Sequence, residues 1–173
     1  MTEFNLDIFK MGHFILYRHG KGFIGDAIAR AQRKRGFSID DSMYTHIDVS
    51  GGGPFAARVN PPMGGKVNIT EYYRGVYVKV VKFKDDNYDV KRYKVAFEAA
   101  TKLNIIYDFM GVFRFVFPWI PNPKSFRFCS ENALESLQSQ YTDALGIKPK
   151  DCMPAHFLNT QHFELVWEGV IPK

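Results

Sequence analysis

Cysteine is scarce in this chain, with only Cys129 and Cys152 among its 173 residues. Two thiols cannot make a disulfide framework, and no C-x-x-C pair offers a redox or metal motif. The five histidines, at 13, 19, 46, 156 and 162, are scattered. Without an H-E-x-x-H or a His/Cys cluster, neither a zinc site nor any other cofactor is expected. Long apolar runs are missing as well. The longest, "FMGVFRFVFPWIP" (109–121), carries Arg114 and prolines and falls short of the roughly twenty apolar residues that span a bilayer. The opening "MTEFNLDIFKMGHF" has no basic stretch leading into an apolar core, which a secretory signal would need. A cytoplasmic location is expected, unless another route exports the protein. With no repeat, low-complexity tract or linker, residues 1–173 read as one α+β domain.

The chain is rich in material for a core. Hydrophobic residues make up 46%, charged ones 24%, and sixteen of the aromatics are Phe, the profile of an ordinary globular protein. The net charge of +5 is concentrated in "RAQRKRG" (30–36). That run reads as a solvated helix end; it suits contact with cell wall or a lipid surface, and no nucleic-acid partner is expected. Alternation and turn residues place strands at 13–18, 42–50, 55–62, 74–84 and 162–170, with Gly51–Pro54 joining the second and third as a hairpin. Helical spacing covers 23–36 through Ile24, Ala27, Ile28 and Ala31, and 85–104 through Tyr93, Phe97 and Ala100. A last helix runs over 129–145, with Ala133, Leu134, Leu137, Tyr141 and Leu145 as its apolar stripe and Gly146 as its stop. The aromatic segment 105–128 is read as irregular, with Phe109, Phe113, Phe115, Phe117 and Trp119 as core or as an apolar lip over a cleft.

The start of the last helix carries the chemistry. A thiolate is the reactive form of cysteine, and a free thiol with a pKa of about 8.5 supplies little of it at neutral pH. A helix N-terminus favours the anion, and Cys129, followed by Ser130, Glu131 and Asn132, stands at one. A nucleophilic thiol further needs an imidazole within hydrogen-bond reach and a polar group to orient that imidazole. His46, in the middle of "YTHIDVS", is the candidate base, because a strand fixes side-chain direction. Simple alternation puts Tyr44, His46 and Asp48 on one face, with Ile47 and Val49 on the other. The opposing reading makes Cys129 a small buried apolar residue and His46 a structural one. Cys152, in "KDCMP", has no neighbouring base and reads as structural. His13 reads as a backbone contact at a strand start.

The order of these pieces resembles the YiiX/YebB-like branch, circularly permuted, of the NlpC-type papain-like cysteine hydrolases. "GHFILYR" (12–18), "GDAIARA" (25–31), "YTHIDVS" (44–50), "FAARVNPP" (55–62), "YDFMG" (107–111), "FRFCSENAL" (126–134) and "KPKDCMP" (148–154) follow one another as the family's segments do. The resemblance implies a permuted papain-like fold, an antiparallel sheet packed on helices, with Cys129 as nucleophile and His46 as base. It further implies an oxyanion hole using the Cys129 backbone N–H, to which Tyr44 or Asp48 are candidate contributors. The family's orienting residue falls on Arg58, whose guanidinium donates only. Asn60 is therefore the expected orienting residue, with Arg58 or Glu71 in reserve. Tyr44, Asp48, Arg58 and Tyr107 are the candidate substrate contacts. The family's activity implies an amidase or peptidase acting on a small peptide-like, cell-wall-derived substrate through an acyl-enzyme. A lipid acyltransferase or thioesterase of the lecithin:retinol acyltransferase type, or a binding domain without chemistry, are the alternatives.

Overall fold

The computed structural model describes residues 4–18, 22–59, 63–102 and 128–173. Six antiparallel strands form one sheet: β1 (Phe14–Arg18), β2 (Tyr44–Gly52), β3 (Phe55–Arg58), β4 (Gly65–Asn68), β5 (Tyr77–Phe83) and β6 (Phe163–Val170). Their spatial order is β4-β3-β2-β1-β5-β6. The helices are α1 (Phe23–Lys34), α2 (Ile39–Ser42), α3 (Ile69–Tyr72), α4 (Tyr88–Thr101) and α5 (Cys129–Gln138). The fold class is thus α+β. None of the helices among the described residues is long and apolar enough to cross a membrane.

The β2–β3 hairpin forms where the glycines allow it. Gly52 and Gly53 take positive φ, a region costly for residues with a Cβ, and Val49 pairs with Ala57 beyond the turn. β4, which alternation did not mark, extends this hairpin by pairing Ala56 with Val67. Residues 39–42 form the short helix α2, so β2 begins only at Tyr44. Ser38 starts that helix by accepting from the Asp41 N–H, the usual N-cap bond. β3 ends at Arg58, and Asn60 lies outside the described residues.

Each face of the sheet is covered. On one side Phe14, Leu16, Ile47, Val49 and Val81 pack against Val95 and Ala99 of α4 and Ala133, Leu134 and Leu137 of α5. Burying a leucine side chain contributes about 2 kcal/mol, so Leu134 and Leu137 together hold α5 firmly on the sheet. On the other side Ile15, Tyr17, Val78 and Val80 meet Phe9, Ile69, Tyr73 and Trp167.

Three helix readings are corrected. α4 buries Tyr88, Val95, Ala96 and Ala99, whereas Tyr93 and Phe97 point outward, Phe97 at 69% exposure. Small side chains let the helix approach the sheet closely, and that face wins over the larger aromatic stripe. α5 stops at Gln138, well before Gly146. The Ser136 hydroxyl bonds back to the Asn132 carbonyl and that of Ser139 to the Ser136 carbonyl, competition that weakens a helix. Tyr141 and Leu145 still pack on the core from the turns that follow. In α1 the buried residues are Ile28, Ala29, Ala31 and Gln32, while Ile24 is exposed.

Candidate functional site

The strand β2 carries an irregularity at the point that matters. Tyr17 of β1 pairs with His46, but the next residue, Arg18, pairs with Tyr44, so Thr45 is an extra residue in β2. Such a bulge breaks the two-residue period. Tyr44 consequently joins Ile47 and Val49 on the helix-covered face, and its expected place beside His46 is corrected. His46 instead lies by Tyr17, ring centroids 5.5 Å apart. The bulge is held from outside by Gln32 of α1. Its buried amide donates to the carbonyls of Ser42 and Tyr44, and its oxygen accepts from the Ala155 N–H at 2.8 Å. Nothing in the basic run around Gln32 signals this role from the sequence.

The imidazole has a carboxylate partner on its own strand. His46 Nε2 lies 2.7 Å from Asp48 Oδ1, and the Tyr73 hydroxyl donates to Asp48 Oδ2 at 3.1 Å. Tyr17 stacks on Tyr73 at 3.7 Å between centroids and seals the carboxylate from below. Asp48 is only 1% exposed, since β2 is an inner strand. Burying a carboxylate is costly unless it is paired and hydrogen-bonded, and here both oxygens are engaged. Asp48 does what was expected of Asn60. Arg58 and Glu71 do not: Arg58 stacks over the Tyr72 ring at 4.1 Å, and Glu71 is exposed on α3. The signal was available as His-x-Asp, two residues apart on one strand and so on one face.

Cys129 is the first residue of α5, which packs on β2. Phe128, just before it, meets Ile28 of α1 and Val59 after β3 and fixes the helix entry. The first backbone bond of the helix runs from the Asn132 N–H to the Phe128 carbonyl. The Cys129 amide therefore lies ahead of the ladder, as in any first turn. The Ser130 hydroxyl donates to the Cys152 carbonyl at 2.8 Å and ties the helix start to the 148–154 loop.

Cys129 is an electrostatic and hydrogen-bond partner of the His46 imidazole. Burial alone would lower the His46 pKa, but the charge and hydrogen bond of Asp48 and those of Cys129 outweigh it and raise it from 6.5 to about 10. Because Nε2 is committed to Asp48, Nδ1 is the ring nitrogen left for the thiol. The imidazole keeps 18% side-chain exposure, whereas Cys129 is nearly buried. The other expectations fall as follows. Cys152 is fully buried, and desolvation pushes its thiol up well above the ordinary value. His13 contacts the Ile8 carbonyl through Nδ1 at 2.9 Å, at the strand start as expected. Tyr107 and the aromatic stripe from Phe109 to Trp119 lie outside the described residues, as does His19. No known protein family matches the chain, and no curated protein is similar enough in sequence to count as a relative.

Proposed function

We infer that the protein is a thiol hydrolase of the permuted papain-like, YiiX/NlpC-type kind, working through an acyl-enzyme on Cys129. The observation that carries this reading is His46, whose imidazole bridges the buried Asp48 carboxylate and the Cys129 sulfur. The His46 imidazole, held by Asp48, is placed to take the thiol proton as the sulfur attacks. The thiolate attacks a carbonyl carbon, and the tetrahedral oxyanion is met by the Cys129 N–H at the start of α5. His46 Nδ1–H then protonates the leaving group, and the C–N or C–O bond breaks. Having given that proton to the leaving group, His46 is neutral and serves as base for the incoming water. Throughout, Asp48 holds the ring and stabilises its charge.

The substrate class follows from the resemblance: an amide in a small peptide-like compound, cell-wall-derived in the relatives of that kind. Asp48 beside His46 supports chemistry over a domain without it, although Arg58 stands at the family's orienting position. The test is incubation with peptide amides and, separately, with phospholipid, followed by mass spectrometry of Cys129. An acyl adduct from the peptide, absent in Cys129→Ala and His46→Ala, is the expected result. Turnover that persists in Cys129→Ala overturns the reading, and an adduct formed from phospholipid alone moves the substrate to lipid esters.

A further inference from the structure

Among the described residues, Arg58 is a cation beside this site that the mechanism does not use. Arg58 ends β3, the neighbour of β2, and the pairing of Val49 with Ala57 brings Arg58 opposite Asp48 on the face that carries His46. Its guanidinium lies flat on the Tyr72 ring at 4.1 Å, and Tyr72, Tyr73 and Asp48 surround its charge. The Asp48 oxygens, however, are taken by His46 and Tyr73. The guanidinium bonds to Tyr72, but its Nη1 atom is buried and has no hydrogen-bond partner. A buried cationic donor left without an acceptor is unfavourable, and a water, an ion or a ligand group that accepts from it relieves the cost. The stacked, planar fork is already oriented, so little freedom is lost when a carboxylate docks on it.

We propose that Arg58 is the substrate anchor, binding a carboxylate that the substrate carries close to the scissile carbonyl. The proposal rests on the thiol-hydrolase reading and narrows its substrates to acyl compounds with a free carboxylate near the bond that breaks. Arg58 is thereby a specificity residue: it touches substrate but takes no part in proton transfer.

Two pairs of thiol reagents test this without knowledge of the natural substrate. Iodoacetate and iodoacetamide differ only by carboxylate against carboxamide, and N-iodoacetylglycine and N-iodoacetylglycinamide place the same difference one residue farther out. The rate of Cys129 alkylation by each is measured in the wild-type protein and in Arg58→Gln. The expected result is a preference for the carboxylate member of at least one pair that falls roughly 10–100-fold in Arg58→Gln, the worth of a charge-assisted hydrogen bond. The readout is the ratio within each pair, so a rate change common to both members, such as one passed on through Asp48, cancels. A preference that is the same in the variant for both pairs overturns the anchor. Should Arg58→Gln fail to fold, Arg58→Lys keeps the charge and loses the fork, and it should retain part of the preference. A neutral-reagent rate at pH 6 no faster than that of free cysteine would instead defeat the nucleophile reading, so the two failures are distinct.

Discussion

The two cysteines occupy neighbouring but opposite environments. Both are nearly or fully buried and both are free, and the Ser130 hydroxyl links the helix start at Cys129 to the Cys152 carbonyl. Yet Cys129 faces an imidazole held by a carboxylate, whereas the Cys152 sulfur, among the described residues, donates to the Met153 carbonyl at 3.7 Å. Burial itself does not separate a reactive thiol from an inert one. What separates them is a charged partner that compensates for lost water, which Cys129 has in His46 and Cys152 lacks.

The sharpest way to break this contrast is selective alkylation of the native protein at pH 6. Cys129 should react at least about 10³-fold faster than Cys152, read by peptide mass spectrometry, and equal labelling would abolish the distinction. Next in size is the carboxylate. Asp48→Asn should keep the fold and lower turnover by roughly 10²-fold or more. It should also move the alkaline limb of the pH profile from near 10 towards the ordinary histidine range, since the charge that lifts the imidazole is gone. The third effect is on stability. The folded pKa of His46 lies above its unfolded value of 6.5, so its contribution is fully present below that value and is lost as pH rises through about 10. Thermal melts between pH 8 and 10.5 should show a steeper loss for the wild type than for His46→Gln. The smallest effect is that of Tyr73→Phe, which removes one hydrogen bond to Asp48 and should slow turnover by about 2–10-fold.

How much of this was legible beforehand depended on the distance over which each signal acts. Cys129 and His46 stood out because order along the chain survives folding, and the strand and helix under them followed from local pattern. Asp48 was misread although it shares the His46 face, because the orienting group was sought on the next strand. Tyr44 could not be placed by alternation, since the bulge at Thr45 shifts the period and no local residue announces it. The outward Tyr93 and Phe97 show a third limit. Which face of α4 is buried depends on how closely the helix can approach the sheet, a matter of side-chain volume across two elements, not of periodicity in one. Gln32 acts at the longest range of all, through a bond to Ala155 that only the folded chain creates.

Because His46 and Asp48 share one strand, the base and its carboxylate travel together, and the sulfur comes from a separate part. A machine with a single joint wears out at that joint. Warming should therefore silence the protein by loosening the seat of the last helix while the sheet beneath is still whole, so that heat inactivation runs ahead of the melting transition and reverses on cooling.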